Sequence, residues 1–142
     1  MSQQHPNLDI IAKFFEAYSK FDLEAMRLVV DEQVKWTIPG HHPLSGTKTG
    51  IEEVMAFFGH LGKSNFKADP IVLGVNDQYV VDCHRGWSNR EDGNNVDMLW
   101  CLLWKISNGK IVEVVNFAAD QHEADRFFYK AYQLKPIQER VV

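Results

Sequence analysis

Cysteine is nearly absent from this chain: two residues in 142, Cys83 and Cys101, far apart and forming no CxxC pair. A disulfide framework and a zinc knuckle are both excluded by that count. Basic clusters are missing too. Lys and Arg total 15 against 19 Asp and Glu, a formal charge of −4, which argues against a nucleic-acid or anionic-membrane surface. No apolar run approaches the ~20 residues that a membrane helix requires. Met1–Pro6 has neither the basic nor the apolar region of a signal peptide, so a soluble, reduced, cytoplasmic protein is expected. The six histidines, His5, His41, His42, His60, His84 and His122, show no HxH or HExxH spacing, and no metal site is expected. Neither a Ser or Cys nucleophile motif nor a glycine-rich phosphate loop occurs, and no cofactor is expected.

Aromatic residues are what the chain has in excess. Nine Phe, four Tyr and four Trp make up 12% of it. Such rings either fill a core or line an apolar cavity. A chain of this length buries roughly 68–70% of its unfolded surface and needs no staple to fold. A single domain over 1–142 is expected, with 1–6 flexible and the core over 7–135.

Periodicity gives the elements. Asn7 is positioned to cap a helix bearing Ile11, Phe14, Phe15 and Tyr18, and Asp22 a short second one with Leu23, Met26 and Val30. A strand runs from Gln33 to Ile38, stopped by Pro39-Gly40, and a loop through His41 to Gly46 follows. Thr49-Gly50-Ile51-Glu52 reads as a capping box for a helix ending at Gly62. Four strands follow at about 66–75, 77–90, 94–107 and 110–119, with Asp92-Gly93 and Asn108-Gly109 as two-residue hairpin signals. Asp120 can cap a last helix carrying Ala124, Phe127, Phe128 and Ala131, which Pro136 ends. The order predicts an α+β fold with helices on one face of a curved, mostly antiparallel sheet.

Several junctions carry a resemblance: Phe21-Asp22-Leu23, Trp36-Thr37-Ile38-Pro39, Leu44-Ser45-Gly46, Thr49-Gly50-Ile51, and Asn108-Gly109-Lys110-Ile111-Val112 leading into Phe117-Ala118-Ala119-Asp120. In order and spacing these residues resemble the SnoaL-like and ketosteroid-isomerase-like branch of the nuclear transport factor 2-like superfamily, over nearly the whole chain. The resemblance implies a cone-shaped half-barrel of the cystatin-like kind, closed by helices around an apolar pocket, in a homodimer. It leaves function open, since members include isomerases, dehydratases, cyclases, epoxide hydrolases and non-catalytic binding domains. The isomerase residues are not carried over. The positions of the base and the two oxyanion donors hold Ile38, Phe14 and Leu102.

Strand alternation then nominates other polar groups. With Glu113 facing solvent, Val112, Val114, Asn116, Ala118 and Asp120 face the cavity. With Lys105 outward, Met98, Trp100, Leu102 and Trp104 are inside, and the apolar outer row Leu99, Cys101, Leu103 is left for a second subunit. On strand 77–90, matching the Asn76-Asp77 turn to the family that the chain resembles implies Val80, Asp82, His84 and Gly86 inside, and Tyr79, Val81, Cys83, Arg85 and Trp87 outside; a one-residue bulge would reverse this. Asp82 and His84 would then share a face, roughly 7 Å apart at Cα. They form a candidate acid–base pair, with Asn116 orienting a substrate oxygen. A structural ion pair is the competing reading. Tyr18, Trp36, Phe58 and Trp100 are candidates for the wall. His41 is a candidate at the entrance, although a plain surface loop fits His41 and His42 equally. Asp120 stands near the expected mouth, with helix capping as its competing role. The expected ligand is a small, apolar, oxygenated molecule, and the expected activity is cofactor-free isomerisation, dehydration or hydrolysis. A non-catalytic binding protein is the alternative.

Overall fold

The first helix of the computed structural model, which describes residues 5–132, is α1 (Pro6–Ser19). Proline suits a first helical position, where its missing N–H is not needed. The cap is His5, whose Nδ1 accepts from Asn7 N at 3.1 Å. Asn7 is therefore not the cap. It is buried as the second residue of the helix, and its side-chain nitrogen donates to the Asn76 and Asp77 carbonyls at 3.0 and 3.1 Å. Asp22 does cap α2 (Leu23–Arg27), accepting from Ala25 N at 3.1 Å.

Six strands follow the chain order β1 (Val30–Ile38), β2 (Gly46–Thr49), β3 (Lys67–Val75), β4 (Tyr79–Trp87), β5 (Asp97–Ser107) and β6 (Lys110–Ala118). Helix α3 (Ile51–Gly62) lies between β2 and β3, and α4 (Gln121–Ala131) closes the described chain. The strands form one sheet in the order β2-β1-β6-β5-β4-β3, with only the β1–β6 pair parallel. This is the expected α+β architecture. Strand β2 is not among the expected elements, because Gly-Thr-Lys-Thr offers no apolar alternation. It is an edge strand held by backbone pairing with Lys35–Ile38.

Three turn expectations meet different fates. Asn108-Gly109 forms the tight β5–β6 hairpin, with φ of 53° and 75° at the two residues, the double positive φ that such a turn needs. Asp92-Gly93 does not make a two-residue hairpin. It sits in a connection spanning 88–96 that is organised by Asn95, whose Oδ1 accepts from Ser88 Oγ and Arg90 N at 2.8 and 2.7 Å. The α3 capping box is displaced by one residue. Gly50, at φ 90°, is the cap, and Glu53 rather than Glu52 reaches back to Thr49 N at 3.0 Å. Asp120 caps α4 as expected, accepting from Glu123 N at 3.1 Å. The expected stop at Pro136 lies outside the described residues.

Register decides the site, and β4 keeps the expected one. Asn76 Oδ1 accepts from Gln78 N and Tyr79 N at 2.9 and 2.8 Å, fixing the entry to β4, while Asn7 holds the same turn from α1. Val80, Asp82 and Gly86 are buried and His84 is half-buried, against exposed Val81 and Arg85. The irregularity falls on β3, where Ile71 is the extra residue between Pro70 and Val72, so no side chain of β4 is turned over. A second bulge, at Val112 on β6, makes Ile111 rather than Val112 the buried residue. The interior is a cluster of rings, with Trp104 fully buried 5.0 Å from Phe14 and 5.3 Å from Trp36 between ring centres.

Replacing Asn7 by Leu strands two carbonyls of the β3–β4 turn. A loss of about 1–3 kcal/mol is expected, read as a lower urea midpoint at unchanged denaturant slope. An unchanged midpoint would show that water satisfies that turn.

Candidate active site

Between the sheet and helices α1, α3 and α4 lies a cavity of about 120 Å³, walled mainly by rings and aliphatic side chains. An outer cleft of about 760 Å³, formed by the ends of α1 and α3 and by β3 and β4, adjoins it. His84 and Tyr18 line both spaces. His84 therefore stands where the cleft meets the inner chamber.

Asp82 is 2% exposed, deep under this junction. A carboxylate so buried must have its oxygens bonded. Oδ1 is 2.6 Å from His84 Nδ1, and Oδ2 accepts from Trp104 Nε1 at 2.5 Å. Since the carboxylate only accepts, Nδ1 of His84 carries the proton, and Nε2 is left to act on a ligand. Gly86 keeps room beside it. A Cβ there would come within 2.8 Å of the Trp100 ring, which lies across β4 and donates from Nε1 to the Gly86 carbonyl at 3.1 Å.

Asn116 faces the same cavity from β6. Trp36 Nε1 donates to its Oδ1 at 3.1 Å, which leaves the amide nitrogen as the atom for a ligand oxygen. Tyr18 brings a hydroxyl from α1. Burial, and secondarily Tyr132, push its pKa up to about 12, so it remains a neutral phenol.

The opposite wall holds His42. It is 6% exposed and stacked on Phe128 at 4.5 Å, and its Nδ1 accepts from Leu44 N at 3.1 Å. Burial pulls its pKa down from 6.5 to about 4; the Lys48 charge adds to this, opposed by Asp125 and the Pro39 carbonyl. The loop is drawn inward at Gly40, φ 102°, where a Cβ would lie 2.2 Å from Asp125 Oδ1 on α4.

Comparison with known proteins is consistent with this architecture. The model of the SnoaL-like domain matches residues 11–114. The chain belongs to the SnoaL-like domain family. An uncharacterized protein of Mycobacterium tuberculosis is 25% identical over 126 residues, covering 86% of this chain and 95% of the relative. Among solved structures, Bal32a from a soil-derived mobile gene cassette superposes with a TM-score of 0.80 at 24% identity, covering 87% of this chain and 96% of that one. TerC, co-crystallized with polyporic acid, superposes at 0.78 and 18% identity, covering 87% and 98%. At these identities the two structures speak to the fold alone.

In this SnoaL-like protein, the expected wall residues Tyr18, Trp36, Phe58, Trp100 and Leu102 do line the cavity, together with His84 and Asn116. Phe14, Ile38 and Leu102, the positions that lack the isomerase groups, are buried wall. Four expected residues are elsewhere. His41 is exposed, and only its backbone N–H is engaged, by Asp125 Oδ1 at 3.2 Å. Met98, opposite Gly86 at the start of β5, packs on the core and is not among the wall residues. Val114 is fully buried in the core, its backbone registered with Trp36 and Trp104. Asp120 is exposed at the surface as the α4 cap. Among the polar wall residues, sequence reasoning missed His42, Lys67 and Gln121. Strand parity does not extend into a loop, and only the three-dimensional stacking on Phe128 separates His42 from His41. Among the described residues, no group of three or more potential metal ligands occurs, and no helix is long and apolar enough to cross a membrane.

The folded protein keeps His42 neutral down to about pH 4, whereas the unfolded chain protonates it near 6.5. Its contribution to stability is therefore complete above about pH 6.5, falls as pH drops from 6.5 to 4, and changes no further below that. Asparagine in its place retains an acceptor for Leu44 N without titrating. Urea midpoints of His42→Asn should fall less steeply than wild type over pH 6.5 to 4. Equal slopes would overturn the assignment.

Proposed function

We propose that this SnoaL-like protein is a cofactor-independent acid–base enzyme of isomerase, dehydratase or hydrolase type, acting on a small, mostly apolar, oxygenated molecule. The observation carrying this reading is the buried Asp82–His84 contact at 2.6 Å, with His84 at the wall of an otherwise apolar cavity. His84 Nε2 accepts a proton from the substrate and returns it at another atom. Asp82 holds the ring in the tautomer that leaves Nε2 open and balances the imidazolium when it forms. The Asn116 amide nitrogen donates to the substrate oxygen, where charge develops. A site with few polar groups among rings suits such a division, because each polar contact is worth more away from water.

Proton abstraction can be read without knowing the final product. Hydroxylated aromatic ketones and quinones in D2O should gain deuterium at an acidic carbon in the presence of the protein. His84→Ala should lower the exchange rate by about 10²–10⁴-fold while the near-ultraviolet circular dichroism is retained. Exchange at the wild-type rate in that variant would sink the role given to His84.

A binding protein without chemistry is the second reading, favoured by the apolar wall at Phe14, Ile38 and Leu102. That a fold relative, TerC, was co-crystallized with polyporic acid is compatible with either reading. Native mass spectrometry separates them: a retained, chemically unaltered metabolite together with absent exchange favours binding.

We further propose that two copies associate through the outer face of the sheet. That face exposes Val72, Val81, Leu99 and Phe117 on four adjacent strands, with the Arg85–Asp97 ion pair among them. A contiguous apolar patch of this kind marks an interaction surface. Sedimentation should give a dimer for wild type and a monomer for the Val81→Lys, Leu99→Lys double variant. A monomeric wild type overturns the pairing.

A further inference from the structure

The chain holds nine glycines, and five of them adopt a left-handed φ that accounts for the residue. The other four, Gly59, Gly62, Gly74 and Gly86, need a different reason. At Gly62 a Cβ would stand 2.8 Å from the Phe21 ring, at Gly86 2.8 Å from the Trp100 ring, and at Gly74 3.1 Å from a Val81 methyl. Gly59 has no such neighbour. Among the described residues, a Cβ there would meet nothing within 4 Å. Yet it lies inside α3, where only proline is a poorer helix former. Neither backbone nor packing calls for glycine at this position, and the residue lines the outer cleft. Its missing side chain is room in that cleft.

Phe21, on the same cleft, shows the reverse. Asp22 N donates to Ala17 O at 2.8 Å, closing α1 with a turn whose left-handed residue is commonly glycine. That residue here is Phe21, at φ 51°, a strained conformation for a bulky side chain. Its ring lies over Gly62, stays 43% exposed, and lines the cleft. A glycine thus stands where a side chain has space, and a ring stands where glycine would be unstrained.

The sheet side of the cleft is apolar too. Pro70 and Leu73 of β3 lie opposite His84 and Asp82, on the inner side of the sheet and away from the face given to pairing. Apart from Asp82, the charged residues of the cleft, Lys63, Lys67 and Asp69, are exposed. Size separates the two spaces. A cavity of about 150 Å³ holds one benzene ring, so the inner chamber of about 120 Å³ has room for one ring and little more. Whatever extends beyond that ring must pass His84 into the cleft.

We propose that the ligand is a neutral molecule with two ring-sized parts. An oxygenated ring enters the inner chamber, and an apolar ring lies in the outer cleft against Phe21, with Gly59 setting the bulk admitted there. This rests on the chamber behind His84 being the ligand site, and it holds whether the ligand reacts or is only bound.

Ortho-hydroxyacetophenone and its para-phenyl analogue differ by the ring in question. Titrated into the full chain and followed by quenching of tryptophan emission, the two-ring ketone should bind about 10–100-fold more tightly, the worth of burying one ring. Gly59→Leu should abolish that preference. Phe21→Gly, which suits its backbone, should lower it several-fold and reads the same ratio if Gly59→Leu does not fold. Equal affinities in wild type, no measurable binding of either ketone, or an undiminished ratio in either folded variant overturns the proposal. Deuterium exchange on the same ketones keeps the two readings apart. Exchange without the affinity ratio sinks the cleft subsite alone, and the ratio without exchange sinks the acid–base reading alone.

Discussion

A carboxylate buried at 2% exposure in a ring-lined cone is the constraint around which this molecule is organised. An unpaired charge there would be untenable, so each oxygen of Asp82 must find a donor. One is His84 Nδ1 and the other is Trp104 Nε1. The pairing fixes which nitrogen of His84 remains open. It also fixes the indole of Trp104, the best-buried large ring, around which Phe14, Phe15 and Trp36 pack. The same contact thus serves the core and the candidate chemistry. Its position depends on the β4 register, which Asn76 sets at the turn and Asn7 secures from the start of α1.

The high aromatic content acquires a more specific sense from the indole nitrogens. Trp36 donates to Asn116, Trp104 to Asp82 and Trp100 to the Gly86 carbonyl. An indole is a large apolar plate with a single donor at one edge. Three of them here build a dry wall and at the same time orient the few polar groups set into it. Phenylalanine would supply the wall without the orientation. The fourth, Trp87, lies under the Arg85 guanidinium at 4.5 Å and is not part of the cavity wall.

Much of this was legible in the sequence where a regular period applied. Parity along β4 puts Asp82 and His84 on one face, which the family resemblance at the Asn76-Asp77 turn makes the inward one, and parity along β5 and β6 puts Trp100, Leu102 and Asn116 inside. Parity failed where the backbone is irregular or where facing inward was equated with reaching the cavity. Val112 was misread because a bulge takes one step out of the count. Val114 and Met98 have the right side of the sheet, opposite residues that do line the cavity, but they pack into the core, and alternation does not encode which inward side chains reach the open space. Asp120 shows the limit of a residue with two sufficient roles; as a cap its carboxylate is already spent on Glu123 N. Asn7 is the complementary case. Its type suited a cap, but His5 can cap through Nδ1, and Asn7 was free to bind a turn some seventy residues away in sequence.

His42 is the residue for which no sequence rule existed, and its chemistry differs from that of His84 for a reason visible in their partners. His84 Nδ1 faces a carboxylate, an acceptor, so the outer nitrogen of the neutral ring is the unprotonated one. His42 Nδ1 faces the Leu44 N–H, a donor, so its outer nitrogen carries the proton. Two imidazoles in the walls of one cavity are thereby held in opposite tautomers, one suited to accept a hydrogen bond and the other to donate. The distinction comes from one backbone amide and one carboxylate, and neither imidazole needs to be charged for it. An apolar cavity fitted in this way presents an imidazole acceptor and an imidazole donor to a neutral ligand, and the proposed acid–base reading rests on the first of them.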